Sequence, residues 1–361
     1  MLIIDGHLDL AMNALLYNRD LTRSVYEIRR QEAGMKQKGR TMGTVAFPEM
    51  HRGEIFICLA TTIGRLAKRR ETDDRSVGIV GSNSPEIAYA SAFGQLSYYK
   101  ILESEGKIRI IKDSISLDAH LREWQQPTHD GAPLGLILAM EGADNIVSPS
   151  QMGLWWNEGF RVIGLTHYGF DPRGYAGGTE SSQGLTPRGR ELLEVMDSAG
   201  MILDVTHMSD ESFWEALDIF KGSVLASHSN CRALVPGSRQ FSDEQLRALI
   251  GRQAVIGTAA DAWMLYPNWT VNTPQKAVNL GNMVDHIHHV CQLAGNTLNA
   301  ALGTDLDGGY GREQSPRDLD TIADLQRIPD LLKKRGYSEE DVMRITHGNW
   351  LRLFHNAWRK M

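Results

Sequence analysis

Five short motifs of this sequence carry histidine and carboxylate side chains of the kind that bind divalent metals. They lie at residues 5–9 (Asp-Gly-His-Leu-Asp), 140–142 (Met-Glu-Gly), 204–207 (Asp-Val-Thr-His), 226–229 (Ala-Ser-His-Ser) and 303–305 (Gly-Thr-Asp). Each motif ends or directly follows a short apolar run that predicts a β-strand. Because a (β/α)8 barrel builds its active site at the carboxyl ends of its strands, the pattern predicts a metal-dependent hydrolase.

The motifs together supply three imidazoles and two carboxylates as candidate metal ligands. His7 and Asp9 alternate along the end of the first strand, so both can point to one face, while Glu141, His207 and His228 end three later strands. Mixed nitrogen and oxygen ligands suit Zn²⁺ and would also hold Mn²⁺ or Co²⁺. Five ligands exceed what one catalytic zinc with an open position uses. We therefore predict two divalent metal ions, with Zn²⁺ as the expected metal and one carboxylate as the bridge.

Asp305 closes the last predicted strand and is not needed as a ligand in this count. It is predicted to be catalytic, because an acid facing the metals can orient the attacking water and pass its proton to a leaving amine. A single histidine or aspartate after a strand is more often structural than functional. The prediction therefore depends on all motifs falling at the ends of different strands.

Eight apolar runs predict the strands that position these residues. The runs are 2–4, 55–60, 134–140, 161–165, 201–205, 223–226, 254–257 and 298–302. Helix-start signals lie between them, as at Ser84-Pro85 and Thr186-Pro187. Alternating strands and helices predict an α/β fold with a parallel sheet, and eight strands predict one (β/α)8 TIM-barrel domain over residues 1–361.

Three long connections depart from the minimal strand–helix unit, and we predict that they are loops. They span about 10–53, 61–83 and 166–186, and loops of this length are usually functional or disordered. The histidines at 286, 288 and 289 fall within a helical stripe of apolar residues. We interpret this segment as an amphipathic helix with the histidines mostly on its polar side.

Composition excludes several classes of function. The net charge is −6, and no strong basic stripe is present, so nucleic acid is not an expected partner. The cysteines at 58, 231 and 291 are odd in number and far apart, which argues against a disulfide framework and favours a reducing compartment. No apolar run approaches the ~20 residues of a membrane span. We expect a cytoplasmic protein with no membrane partner; the oligomeric state is left open, with a homodimer as one candidate.

Together these motifs match those of a known family. The chain resembles the membrane (renal) dipeptidase family of zinc peptidases, a branch of the amidohydrolase superfamily, from residue 5 to about 354. Beyond the motifs above, the resemblance includes residues 165–167, 184–189, 239 and 348–352. It implies that His7 and Asp9 bind one zinc, that His207 and His228 bind the other, and that Glu141 bridges them.

The resemblance also implies how a substrate is held. His167 would contact the scissile carbonyl or the oxyanion, Asp305 would be the proton shuttle, and Arg239 would pair with the C-terminal carboxylate, which a guanidinium fork matches well. Arg232, near His228, is a rival for that carboxylate. The implied activity is hydrolysis of L-Xaa-L-Xaa dipeptides, and of L-Xaa-D-Xaa dipeptides as well, by a hydroxide that bridges the metals.

The main alternative is another binuclear amidohydrolase that acts on a small amide, an N-acyl amino acid or a lactone. Those branches usually carry His-x-His after the first strand, and many bridge their metals with a carboxylated lysine, whereas this chain has His7-x-Asp9 and, at the third strand, Glu141. A barrel that binds a ligand without catalysis is a second alternative, although the ligand set has no gap. The loops at 168–172 and 259–264 depart from the family pattern, so side-chain preference is left open.

Overall fold

The computed structural model describes residues 1–66, 81–129, 131–274 and 277–359. The strands in these residues are β1 (Ile3–Leu8), β2 (Ile55–Ile63), β3 (Ile108–Ile110), β4 (Leu134–Glu141), β5 (Phe160–Gly164), β6 (Ile202–Asp204), β7 (Val224–Ala226), β8 (Val255–Thr258) and β9 (Ala300–Leu302). The α-helices are α1 (Leu10–Leu16), α2 (Val25–Gln31), α3 (Phe47–Arg52), α4 (Pro85–Ser104), α5 (Ser114–Trp124), α6 (Met152–Asn157), α7 (Pro187–Ala199), α8 (Asp210–Ile219), α9 (Asp243–Gly251), α10 (Ala262–Leu265), α11 (Leu280–Ala294), α12 (Ile328–Lys334), α13 (Glu339–Met343) and α14 (Asn349–Trp358).

Eight of the strands follow one another in a single parallel order, β1-β2-β4-β5-β6-β7-β8-β9. Neighbours pair in parallel register, for example Val162 with Ile202 and Ile256 with Ala300. β1 also lies against β9, where the Asp305 N–H donates to the His7 carbonyl at 3.3 Å. These pairings confirm the predicted (β/α)8 barrel. Most strand residues are buried, as parallel strands covered on both faces require.

The chain divides into two compact units. One consists of Met1–Cys58 with Ala226–Leu353, and the other of Leu59–Leu225 with Phe354–Met361. Both divisions in the middle of the chain fall inside strands, in β2 and in β7. The single domain over residues 1–361 therefore stays a prediction.

The helix starts predicted at Ser84-Pro85 and Thr186-Pro187 are confirmed. The Ser84 side chain accepts from the backbone N–H of Ile87 at the start of α4, and the Thr186 side chain accepts from Gly189 at the start of α7. Gly200 ends α7 in the left-handed conformation, with φ 77°. Both devices satisfy backbone groups that the helix leaves without partners.

The predicted loops need correction. Residues 10–53 contain α1, α2 and α3, so this connection is largely helical. In the 61–83 connection β2 continues to residue 63, and residues 67–80 lie outside the described part of the chain. Residues 166–186 have no helix or extended strand, as predicted, but isolated bridges such as Tyr168 with Thr179 fold them into a compact loop. The strand β3, which pairs with β4 beside the main order, was not predicted.

Three further predictions concern the cysteines, the histidines of α11 and membrane-spanning helices. The cysteines at 58, 231 and 291 are buried and form no disulfide, as predicted. The histidines of α11 were predicted to lie mostly on its polar side: His288 and His289 are partly exposed, whereas His286 is buried, at 1% exposed. Among the described residues, no helix is long and apolar enough to cross a membrane.

Candidate metal centre

Asp5 holds the end of β1 in place beneath the first candidate ligands. Its carboxylate is buried and accepts the backbone N–H of His7 at 3.1 Å. It also accepts the backbone N–H of Thr304 at 2.8 Å and the Thr304 hydroxyl at 2.6 Å. Burial raises the pKa of Asp5, although these hydrogen bonds oppose the shift. Asp5 therefore ties the carboxyl end of β1 to the turn after β9, where Asp305 lies.

One group of candidate ligands surrounds His7. The potential ligand atoms of His7, His228 and Asp305 all lie within 4.8 Å of one another. His7 Nε2 is 3.6 Å from Asp9 Oδ1 and 3.7 Å from Asp305 Oδ1. The rings of His7 and His228 are 3.7 Å apart between centroids. All four side chains were predicted from the sequence to belong to the site.

A second group surrounds Glu141 at the end of β4. The potential ligand atoms of Glu141, His167 and His207 also lie within 4.8 Å of one another. Glu141 Oε1 is 3.2 Å from His207 Nε2 and 3.7 Å from His167 Nε2. By distance alone His167 belongs with the candidate ligands, whereas the sequence predicted that it contacts the substrate.

Hydroxyl groups contact two of the imidazoles at Nδ1, the ring nitrogen on the side away from the potential ligand atom Nε2. Ser227 Oγ is 2.8 Å from His228 Nδ1, and Thr179 Oγ1 is 3.1 Å from His207 Nδ1. An imidazole whose Nδ1 hydrogen is held by an acceptor presents the lone pair of Nε2 to a metal. His207 and Asp305 have positive φ angles of 68° and 57°, an uncommon conformation for residues other than glycine that clusters at functional sites.

The donor chemistry of both groups fits divalent metal ions. Each group combines imidazole nitrogens with a carboxylate oxygen on side chains that are buried or nearly so. Converging groups of this kind suit zinc and similar ions. The structure thus brings His7, Asp9, His228 and Asp305 together in one unit, and Glu141, His167 and His207 together in the other.

The two arginines that compete for the substrate carboxylate differ in their surroundings. Arg239 is 5% exposed. Its guanidinium donates to the His228 carbonyl at 2.8 Å and to Ser229 Oγ at 3.1 Å. The Nε of Arg232 instead donates to carbonyls of its own loop, at Gly237 (3.1 Å) and Gln240 (2.9 Å). Arg239 is therefore held directly against the backbone of a candidate metal ligand.

Comparison with known sequences identifies the family. The sequence model of the membrane dipeptidase family, peptidase family M19, matches residues 1–360. The chain belongs to the membrane dipeptidase family. It is 25% identical to dipeptidase aclJ of Aspergillus oryzae over 97% of this chain and 77% of that protein. It is 26% identical to an uncharacterized protein of Klebsiella pneumoniae, encoded in the pqqA 5' region, over 72% of this chain and 93% of that protein.

Solved structures of this dipeptidase family have the same fold as the chain. The dipeptidase AC, a family M19 metallopeptidase, superposes with a TM-score of 0.77 at 18% identity over 99% of each chain. A metallopeptidase from Rhodobacter sphaeroides, bound to a phosphinate mimic of the dipeptide L-Ala-D-Ala, gives a TM-score of 0.76 at 18% identity over 99% of each chain. Family membership makes the chain a metallo-dipeptidase, a hydrolase of peptide bonds.

The sequence did not reveal the residues that support this dipeptidase site. Ser227 stands next to His228 and could have been recognised as a neighbour able to hold the ring. Thr179 is 28 positions from His207 and belongs to no motif. Arg65, whose guanidinium lies 3.5 Å from His167 Nδ1, follows β2 and has no distinguishing pattern around it.

Proposed function

We propose that the chain hydrolyses dipeptides at a binuclear metal centre held by His7, Asp9, Glu141, His207 and His228. The observation that carries the proposal is the presence of two groups of converging histidine and carboxylate ligands at strand ends of a dipeptidase-family barrel. The carboxyl ends of parallel barrel strands meet at one face, which supports a common centre with Glu141 as the bridge. Zn²⁺ is the proposed metal, because its preferred ligands match this set.

Divalent ions in such a centre activate a water molecule and polarise a carbonyl oxygen. The protein's own residues orient the reaction. Arg239 binds the C-terminal carboxylate of the substrate, so that the scissile bond lies over the centre. His167 donates a hydrogen bond to the oxygen of the scissile carbonyl. Asp305 accepts a proton from the attacking water and delivers it to the leaving nitrogen.

The proposed substrates are L-Xaa-L-Xaa and L-Xaa-D-Xaa dipeptides. The solved relative that binds a mimic of L-Ala-D-Ala supports a D-residue on the C-terminal side. The cytoplasmic location and the homodimer stay predictions.

The experiment is a substrate panel offered to the zinc-loaded protein. It contains L-L and L-D dipeptides, the C-terminal amides of the same dipeptides, N-acyl amino acids and a lactone. We expect free dipeptides to be hydrolysed with the highest kcat/KM and turnover to stop after chelation and return with zinc. Higher kcat/KM for an N-acyl amino acid or a lactone would instead support the alternative amidohydrolase. Metal analysis of the same sample counts the ions per chain, and a value near one would contradict the binuclear centre.

A further inference from the structure

The loop that carries Arg239 also forms one wall of a separate cavity. The cavity has a volume of about 430 Å³ and lies among residues 234–235, residues 265–267 and one face of α11. That volume is within the range of pockets that bind small organic molecules. None of the proposed metal ligands lines it, so it is distinct from the candidate metal centre.

His286 gives this cavity a hydrogen-bond donor of fixed position. Its side chain lines the cavity but is 1% exposed, and its Nδ1 accepts the backbone N–H of Cys231 at 3.0 Å. Burial, with a smaller contribution from His289, lowers the pKa of His286 to about 3. The ring is therefore neutral near pH 7 and carries its hydrogen on Nε2. Among the described residues this N–H makes no hydrogen bond, so it is available to a ligand in the cavity.

The rest of the lining includes one charge pair, apolar surface and the polar side chains of Asn282, His288, His289 and Gln292. Arg335 and Asp285 form an ion pair whose side chains are 34% and 44% exposed. Leu234, Val235 and Leu265 supply apolar surface to the same cavity. A guanidinium and a carboxylate side by side match the two opposite charges of a zwitterion, and the guanidinium fork is well suited to a carboxylate. The apolar wall suits an aliphatic side chain.

We infer that this cavity binds a free α-amino acid with an apolar side chain. Its carboxylate would bind Arg335 and the Nε2–H of His286, and its ammonium would bind Asp285. Its side chain would pack against Val235 and Leu265. A dipeptidase releases amino acids, so the interpretation as a product-binding site rests on the proposed function, whereas the binding itself does not.

The contacts of the loop at residues 231–241 indicate what a ligand bound in the cavity would change. The side-chain amides of Asn230 and Gln240 both donate to the carbonyl of Met264, at 3.1 and 2.9 Å. These bonds tie the two walls of the cavity together across the chain. Arg239 stands next to Gln240 and donates to the His228 carbonyl. A ligand that contacts both walls would add to these bonds and would further order the loop that carries Arg239.

The test is calorimetric titration of the metal-loaded protein with L-leucine. We expect Arg335→Gln to weaken leucine binding at least tenfold. The matched control is Lys334→Gln, which removes the same charge from the adjacent, exposed residue outside the cavity and should change the affinity less than twofold. L-leucinamide, which lacks the carboxylate, should bind the wild type and Arg335→Gln equally.

Arg239→Ala distinguishes the cavity from the proposed catalytic site. Binding that persists in Arg239→Ala and is lost in Arg335→Gln supports the cavity. Binding that is lost in Arg239→Ala and persists in Arg335→Gln places leucine at the catalytic site alone and overturns the inference, as does an absence of binding to the wild type. None of these readouts requires turnover, so a failure of the proposed function leaves them interpretable.

Hydrogen exchange tests the effect on the loop. We expect leucine to slow amide exchange across residues 231–241 in the wild type but not in Arg335→Gln. Binding heat without this protection would contradict the ordering of the loop.

Discussion

Two histidines of the candidate centre, His207 and His228, contact hydroxyl groups through Nδ1. Thr179 Oγ1 lies 3.1 Å from His207 Nδ1 and also donates to the backbone carbonyl of His207 at 3.3 Å. Ser227 plays the equivalent part for His228. Such contacts behind a metal ligand fix the ring orientation and the tautomer, and their loss usually weakens metal binding. Residues that touch neither metal nor substrate therefore determine how the ligands are presented.

Thr179→Val tests this dependence, because it keeps the volume of the side chain and removes the hydroxyl. We expect metal affinity to fall by about 10- to 100-fold, measured by competition with a chromophoric chelator. Thr179→Ser, which restores the hydroxyl, should return most of the affinity. Equal affinities in the wild type and Thr179→Val would show that His207 is oriented without this contact.

Arg239→Ala tests the proposed contact with the substrate carboxylate. We expect KM for a free dipeptide to rise by about 10- to 100-fold, the loss of a charge-assisted bond of about 1.5–3 kcal/mol, while the C-terminal amide of the same dipeptide is hydrolysed as by the wild type. Arg232→Ala is the matched control and should change neither substrate's KM. An equal loss on the amide would mean that Arg239 acts through His228, whose carbonyl it holds.

At the scale of elements, close backbone contacts set the position of His228. A Cβ atom at Gly303, just after β9, would lie 1.8 Å from the carbonyl oxygen of Ser227, and one at Gly257 in β8 would lie 2.0 Å from the same oxygen. No side chain fits such a gap, so glycine is required at both positions. The strands β8 and β9 thus approach the residue that precedes His228 as closely as the backbone allows.

Gly303→Ala should therefore destabilise the fold and displace His228. We expect a loss of about 3 kcal/mol or more in the free energy of unfolding, at the upper end of overpacking effects, together with weaker metal binding. Gly251→Ala is the control, because a Cβ there meets no atom within 4 Å and alanine is favoured over glycine in a helix. Urea denaturation followed by circular dichroism measures both variants. Similar stabilities for the two would contradict the close-contact argument.

The elements show how much of the fold the sequence could predict. Eight strands were predictable because each is a buried apolar run, and five of them lead into the motifs that carry the candidate ligands and Asp305. The strand β3 has only three residues, two of them partly exposed, so its run carries too little signal. The helix α1 follows Asp9, which makes no side-chain cap, so its start could not be recognised. The spacing of Ser24 and Glu27, which form a capping box at the start of α2, is by contrast a sequence signal for that helix.

Residues of the candidate site were predictable only where they belong to short local sequence motifs. His7, Glu141 and His228 lie at or just after the carboxyl ends of strands, so residue type and position sufficed to single them out. Thr179 reaches His207 through the folding of a long loop, and no spacing rule encodes that approach. The pairing of Arg239 with the backbone of His228 likewise depends on how the loop after β7 turns back on itself.

At the scale of the whole molecule, one buried carboxyl group should make stability depend on pH. Asp261 is 5% exposed, and burial raises its pKa from 3.8 to about 6, although Gln314 donates to both of its oxygens at 2.9 Å. The unfolded chain would release this proton near pH 4, while the folded protein holds it to about pH 6. Folded molecules bind more protons in that interval, so stability from this group falls as pH rises from 4 to 6, by up to about 3 kcal/mol.

Asp261→Asn should remove this dependence. We expect its thermal midpoint, relative to that of the wild type, to rise progressively between pH 4 and pH 6 and to level off above. Asp330→Asn, at an exposed position, is the control and should follow the wild-type curve. A difference between wild type and Asp261→Asn that is the same at every pH would exclude a contribution from proton binding.

Metal removal tests the whole centre and the part that Asp305 plays in it. Ions that bind only the folded state stabilise it, by an amount that grows with the logarithm of their affinity, so chelation should lower the melting temperature of the wild type by several degrees, and zinc should restore it. Asp305 Oδ1 lies 3.7 Å from His7 Nε2, a position open to either a ligand or a proton carrier. If Asp305 is a proton carrier, the variant Asp305→Asn should keep the full metal content and the full chelation shift, while kcat falls by about 10²- to 10⁴-fold. Asp9→Asn, which removes a proposed ligand, should show a smaller shift and a lower metal content by mass spectrometry. If Asp305→Asn loses metal as Asp9→Asn does, Asp305 is a ligand, and another group must carry the proton to the leaving nitrogen.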